Sequence, residues 1–305
     1  MPGFRQVQDS LPTLGVGLSL SFGVDPDPVA LADTPGGPSF VEYAGAVQAD
    51  LVLPSVLRLR DLGVPVLYHP SCLNLCGPWP NPRPWLDAVA AHCDAVDSAW
   101  LAQDVATCFV GERPGYSIDL GWFVQPILDR EGLSQAIDRV SEVVDAVPRL
   151  LLLEPPPVCF QIGTMSVFAW LGQLAHRTDC GILLDAGHVV SHQLALGRDD
   201  LLAELDQLDL ARVVELHVAG GVIDTLPDGR RHVYLDAHDL PILPETWRVA
   251  DAIIQRAPNL RAVCVECEGA VAHSILPALR KVRERVALTA ASDSLRARAR
   301  AELSA

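Results

Sequence analysis

Lysine is almost missing from this chain of 305 residues: Lys281 is the sole one, and nearly all the basic charge is arginine. Lys281 sits in a polar helical pattern far from any strand end, which disfavours a Schiff-base mechanism. Positive charge is scarce overall, with 23 Lys and Arg against 38 Asp and Glu, a formal charge of −15 and a pI near 4.9. That balance argues against nucleic acid and anionic membrane surfaces as partners. No apolar run is long enough to span a bilayer, and the polar N-terminus does not resemble a signal peptide. A cytoplasmic location is expected. The eight cysteines are scattered through apolar or strand-like contexts, which reads as reduced, mostly buried thiols and leaves no cysteine set for a structural zinc. Cys72 and Cys76 in SCLNLC are the exceptions worth watching. The first strand is not followed by GxGxxG, so the rival open doubly wound sheet has no dinucleotide version here.

What is present is strand and helix in alternation. Strand candidates are LGVGLSLSF (residues 14–22), SFVEYA, VPVLYH, AVDSAWLA, RLLLLE, GILLD, VVELH and AVCVE. Helical patterns fall at Ala46–Leu62 (interrupted by Pro54), PWLDAVAAHC, EGLSQAIDRVSEVVDAV, MSVFAWLGQLAHRT, PETWRVADAIIQRA and AHSILPALRKVRERV. The segments Gly23–Pro38, CGPWPNPRPW and Gln103–Pro126 read as irregular loops. Eight strands alternating with helices, with no second block of composition, predict one (β/α)8 TIM-type barrel. Its expected limits are residues 13–286, with a flexible arm at 1–12 and a tail at 287–305.

The strand ends carry the chemistry. RLLLLEPPP is an apolar run that stops on Glu154 before chain-breaking prolines. A run of leucine suits a strand buried on both faces, and a carboxylate there needs a partner or a metal. The construction returns at His69, Asp185, His217 and Glu266, which end VPVLYH, GILLD, VVELH and AVCVE. Barrel active sites lie at this carboxyl face. Close beyond come Asp104, His188, Asp236, His238 and Glu268. Asp236 and His238 form a D-x-H pair that shares one face if extended, and Glu266 and Glu268 share parity in the same way. Imidazoles mixed with carboxylates suit Fe, Mn, Zn or Co, and so many carboxylates would repel one another unless cations held them. The number of ligands favours two or three ions. His192 is a weaker candidate. His92, His176 and His232 read as surface histidines, and Glu215 is expected to point toward the helices or solvent.

At these residues the chain resembles the multinuclear non-haem iron-dependent oxidative enzymes (MNIO), from GVGLSLSF to about Pro277. YHPSCLNLCG is similar to that family's histidine and glycine-rich Ser-Leu segment, which places its histidine at His69. Glu154-Pro155-Pro156 resembles its Glu-Asn-Pro strand end, and LLDAGH its Leu-Leu-Asp-x-Asn-Asn. ELHVAGG resembles Glu-Ile-His-Leu-Ala-Gly-His, DAHDLPILPETW its Asp-x-His before a Trp-containing helix, and Glu266-Cys267-Glu268 its closing Glu-x-Asp. Three positions depart from the pattern. Asp104 stands where a histidine ends a strand, His188 replaces the second asparagine, and Gly221 replaces the second histidine of the His-Leu-Ala-Gly-His stretch.

The resemblance implies iron-dependent, O2-using oxidation of a residue, most often cysteine, in a ribosomally made peptide delivered by a small partner protein. It implies two or three irons held by His69, Asp104, Glu154, Asp185, His188, His217, Asp236, His238, Glu266 and Glu268, with Asp236 and His238 in catalysis. The Trp79–Trp85 and Tyr116–Phe123 segments are expected to frame a peptide groove. Two alternatives stay open. One is a xylose-isomerase-like sugar isomerase or epimerase using one or two divalent metals. The other is a non-catalytic peptide-binding barrel.

Overall fold

The structure is a computed structural model that describes residues 3–45, 48–113, 116–227 and 232–304. In chain order, α1 (Phe4–Val7) precedes β1 (Gly15–Ser19), α2 (Pro28–Ala32), β2 (Val41–Ala44), α3 (Leu53–Asp61) and β3 (Val66–His69). Then come α4 (Arg83–Val96), β4 (Leu101–Asp104), β5 (Thr107–Arg113), β6 (Tyr116–Val124), α5 (Arg130–Ala146) and β7 (Leu151–Glu154). The second half runs α6 (Val167–Thr178), β8 (Gly181–Asp185), α7 (Ala186–Ala195), β9 (Val213–Thr225), β10 (His232–Asp239), α8 (Pro244–Arg256), β11 (Ala262–Glu266), α9 (Ala272–Thr289) and α10 (Asp293–Ser304).

Eight of the strands pair in parallel in the order β1-β2-β3-β4-β7-β8-β9-β11, and β11 returns to β1, so the sheet closes. This is the (β/α)8 barrel. Its core has two parts, set by the period of two along each strand. Outward residues such as Val16, Val66, Leu151, Leu153, Leu184 and Val265 pack against the helices. Inward residues Phe40, Leu67, Trp100, Ala102, Leu152, Leu183 and Cys264 fill the lumen and cluster with Phe4 at its amino end. Two positions further along each of several strands, the same inward face carries Glu42, His69, Asp104, Glu154, Asp185 and Glu266. The barrel is therefore an apolar plug capped by a polar layer.

Local chemistry explains several element ends. Pro54 lies in the first turn of α3 and starts that helix rather than interrupting it, because a missing N–H costs nothing there. Asp97, left-handed at φ 55°, ends α4. The fourth strand, expected at Ala95–Ala102, consequently begins at Leu101 and ends on Asp104, since α4 runs on to Val96. Gln103–Pro126, expected as an irregular loop, largely folds as the antiparallel pair β5–β6, whose register is broken by irregularities that hide the alternation. Pro114 and Gly115 lie outside the described residues.

The N-terminal arm packs onto the barrel. Phe4 is buried, its N–H donates to Asp179 O at 2.7 Å, and the Arg212 guanidinium lies over its ring at 5.1 Å. At the other end of the chain, α10 buries Leu295 and Ala299. Its Glu302 accepts from the buried Arg283 at 3.0 Å. No helix among the described residues is long and apolar enough to cross a membrane.

Candidate metal centre

Strand register levels the polar residues at one rim. Asp104 stands opposite Glu154, Asp185 opposite His217, and Ala44 opposite His69. Beyond the rim, β9 continues and pairs antiparallel with β10, so Asp236 and His238 hang over the mouth rather than ending barrel strands. His238 takes up the left-handed region at φ 49°, between the two irregular pairings of β10.

All ten candidate residues meet there in one connected set. His69 Nε2 lies 3.0 Å from Glu154 and 3.8 Å from Asp104. His188 lies 3.2 Å from Glu154 and 3.1 Å from Asp236. His217 Nδ1 is 3.2 Å from Glu266 and 4.0 Å from Glu154. His238 reaches Asp236 and Glu268 at 3.0 Å each and Glu266 at 3.6 Å. Asp185 accepts the His188 backbone N–H at 2.6 Å, which caps α7 and turns that imidazole inward. His69 is oriented from behind, since Ser71 Oγ sits 2.9 Å from Nδ1 and leaves Nε2 facing the carboxylates.

Two further carboxylates belong to the set. Glu42 Oε1 lies 3.2 Å from His217 Nε2, and Glu215 Oε1 lies 3.8 Å from the same nitrogen. Glu215 also accepts from Trp100 Nε1 at 2.7 Å. The expectation that Glu215 faces outward was wrong: it is two residues from His217, so it shares that residue's inward face. His92 likewise is buried rather than on the surface, stacked on Tyr68 at 3.9 Å between centroids and hydrogen-bonded to Tyr43. His192 is buried behind the site, with Nε2 3.1 Å from Pro156 O. Cys264 and Cys267, spaced C-x-x-C, are both buried free thiols. Trp85 packs edge-on against Phe109 at 4.8 Å, whereas Trp79 lines a cavity beside the β5–β6 pair.

The electrostatics are those of crowded carboxylates bridged by imidazoles. Burial would lower His69, but the hydrogen bond and charge of Glu154 outweigh it and push the ring up to about 9. The Glu266 charge lifts His238 to about 12. Burial, aided by Glu154, pushes Asp104 up to about 7, and burial pushes Asp185 up to about 8. Glu154 and Asp236 go the other way: burial opposes ionisation, but hydrogen bonds, from His188 first, hold both well below the carboxylate range.

A test of fit to cations lies in the orphaned atoms. Asp104 Oδ1, Asp185 Oδ2, Asp236 Oδ1, Glu266 Oε2 and both ring nitrogens of His217 are buried without a hydrogen-bond partner among the described residues. His217 has carboxylates at ion-pair distance, yet neither nitrogen is aligned for a hydrogen bond. Buried lone pairs without donors are costly, and divalent cations satisfy them. Donor atoms of His69, Asp104 and Glu154 lie within 4.8 Å of one another, as do those of Asp185, His217 and Glu266. A third group, His188, Asp236 and His238, shares Asp236 at 3.0–3.1 Å. The donor chemistry fits imidazole-and-carboxylate metals.

Comparison with known proteins bears on this site. The model of the RiPP precursor modification enzymes MbnB/TglH/ChrH matches residues 42–287. A UPF0276 protein of Rhizobium meliloti is 29% identical over 203 residues, 66% of this chain and 63% of that protein. One from Vibrio vulnificus is 28% identical over 155 residues, 49% of this chain and 52% of that protein. The chain thus spans between about half and two thirds of the length of these curated relatives. D-psicose 3-epimerase of Clostridium cellulolyticum superposes with a TM-score of 0.52 at 13% identity, over 95% of this chain and 97% of that one. A xylose isomerase domain protein of Salmonella typhimurium gives 0.52 at 14%, over 91% and 98%. These two share the barrel.

Proposed function

The chain belongs to the family of RiPP precursor modification enzymes MbnB/TglH/ChrH, and on that premise we propose that it oxidises a residue, cysteine foremost, in a ribosomally made peptide, using two or three irons and O2. The observation that carries the reading is the connected set of four imidazoles and eight carboxylates at the barrel mouth, with its buried unpartnered oxygens. His69, Asp104 and Glu154 would hold one ion, and Asp185, His217 and Glu266 a second. His188, Asp236 and His238, with Glu268 behind His238, would complete a third position or share one of the first two. Bound iron supplies redox chemistry with O2 and an acid on which a substrate thiolate can settle.

The chain's own residues divide the remaining work. The barrel-strand ligands are rigid and buried, so they fix the ions. Asp236 and His238 stand on β10 above them, and His238 is the most exposed imidazole of the set, with 31% of its side chain accessible. With Asp236 it would act in catalysis on the open side of the centre, where the substrate arrives, its ring held by Asp236 at Nε2 and by Glu268 at Nδ1. Tight packing of β7, β8 and β11 keeps water from the cluster's underside. The leader of the peptide is assigned to a small partner protein, and the reaction to the cytoplasm.

Metal analysis of protein purified under low oxygen, beside a Glu154→Ala/Asp185→Ala variant, tests this. Two or three irons per chain, lost in the variant, are expected. One or two ions of manganese, zinc or magnesium would replace the reading with an isomerase-like enzyme. No bound metal in either protein would leave a peptide-binding barrel.

A further inference from the structure

Next to the ion-binding layer lies a cavity of about 310 Å³. It opens between the end of β6, the segment 157–162 after β7, and β10. Four large apolar side chains on its walls are exposed: Val124 at 48%, Phe160 at 61%, Ile162 at 40% and Leu235 at 46%. Apolar groups gathered at one concave place mark a contact surface. Its inner end is formed by Tyr234 and Asp236. The Tyr234 ring is fixed, because Gly187 and Gly221 each make room for it: a Cβ on either would come within 2.4 Å of its hydroxyl end. Asp236 is one of the candidate ligands, 3.0 Å from His238 and 3.1 Å from His188.

The chemistry of the walls selects the occupant. Among the described residues lining the cavity, Asp236 is the only charged one, and none is a cation that would receive a phosphate or a carboxylate. The lining amide of Gln125 is already engaged, donating to Phe160 O at 2.7 Å. The volume is at the lower end of the range for small-ligand pockets, about 300–1,000 Å³, and suits one or two side chains rather than a nucleotide. Consecutive Cα atoms of a peptide are about 3.8 Å apart, so a side chain seated here places its neighbour over the ion cluster.

We propose that this cavity is the subsite for a large apolar side chain, aromatic or branched aliphatic, carried by the peptide residue adjacent to the one modified. The inference rests on the peptide-modifying function above. It makes sequence next to the modified residue, and not only a leader bound elsewhere, a determinant of substrate choice.

The test uses fluorescein-labelled hexapeptides Gly-Ser-X-Cys-Ser-Gly and Gly-Ser-Cys-X-Ser-Gly, with X as Phe, Leu, Gly or Asp, titrated into iron-loaded protein under low oxygen. Fluorescence anisotropy reads the affinity. In one of the two series, Phe and Leu should bind about tenfold or more tighter than Gly, as burial of one such side chain allows, and Asp weaker still. A Phe160→Ser/Leu235→Ser variant alters exposed residues, so it should fold and keep its metal content while losing the preference. Equal binding for all X, a preference that survives in the variant, or no binding up to millimolar peptide would overturn the proposal. Matching peptides with Ala in place of Cys separate it from the function on which it rests. A preference for Phe with no loss on removing Cys keeps the subsite and sinks the thiol chemistry; loss of affinity without any preference does the reverse.

Discussion

Glu42 offers the sharpest test of how the centre is built, because a supporting role lowers metal affinity and a merely structural role lowers the stability of the metal-free chain. His217 is clamped between Glu266 at Nδ1 and Glu42 at Nε2, each 3.2 Å away. If Nδ1 binds an ion with Asp185 and Glu266, Nε2 carries the proton, and the charge of Glu42, at ion-pair distance, supports it. Such outer carboxylates raise the basicity of the ligand and fix its ring, and losing one costs about 10–100-fold in metal affinity. Glu42→Gln keeps an acceptor but no charge, so a fall of about tenfold is expected, with Glu42→Ala nearer a hundredfold, or about 1.4–2.7 kcal/mol. In the metal-free chain Glu42 meets two opposed charges. Burial first, and then the charge of Glu42, push Glu215 up to about 7, so the two carboxylates repel in the barrel interior. Its attraction for the His217 ring, 3.2 Å away, opposes that repulsion, so Glu42→Gln should move the stability of the metal-free chain by less than about 1 kcal/mol, or about 2 °C in melting temperature for a chain of this size. Chelator competition with Fe(II) under low oxygen, together with melts in EDTA and in excess metal, measures both arms. An affinity within twofold of wild type, or a metal-free protein destabilised by as much as the metal affinity falls, would refute the clamp.

Glu42 also shows where sequence reasoning loses the site. Glu154, Asp185, His217 and Glu266 were legible because each closes an apolar run, and burial on both faces of a parallel strand makes such a residue conspicuous. Glu42 is followed by Tyr43 and Ala44 within β2, so no run ends on it, and only the closed barrel reveals that it faces the lumen. Glu215 was visible but assigned to the wrong face, although a spacing of two from His217 already gave the answer. Its position also depends on an irregularity in the β8–β9 register near Ile182 and Leu183, which no sequence pattern announces. The barrel itself was readable from eight alternating units. The β5–β6 pair was not, because its bulges break the period that identifies strands. The arm and α10 needed tertiary context, since a lone Phe4 or Leu295 becomes core only when the barrel end beneath it is known.

Two other measurements follow from the same geometry. The metal-free protein should lose stability as pH rises from about 6.5 to 9. Free His titrates near 6.5 and free Asp near 3.9. In the fold, His69 is raised to about 9 and Asp185 to about 8, so over that window the folded chain keeps protons that the unfolded chain has released, and the slope is negative. Melts in EDTA at both ends of the range check it, and a flat or rising midpoint would contradict it; metal affinity should rise over the same range, because ligation displaces those protons. The second concerns Gly221, where the family resemblance would place a histidine. A Cβ there would lie 2.4 Å from Tyr234 Cζ and 2.7 Å from the Leu235 carbonyl oxygen, so the space for a side chain is already taken by the tyrosine ring and its own strand. Gly221→Ala should therefore cost about 1–3 kcal/mol as an overpacked site and, by displacing β10, lower metal affinity through Asp236 and His238. Tyr234→Ala alone should also destabilise, by leaving a cavity, but the double variant should be more stable than the sum of the two costs by about 1 kcal/mol or more. Additive costs in that cycle would mean that the ring and the glycine do not share the space. A coupling of this size would show why the chain bears glycine here: the ring that walls the apolar cavity stands where an imidazole would otherwise enter the centre.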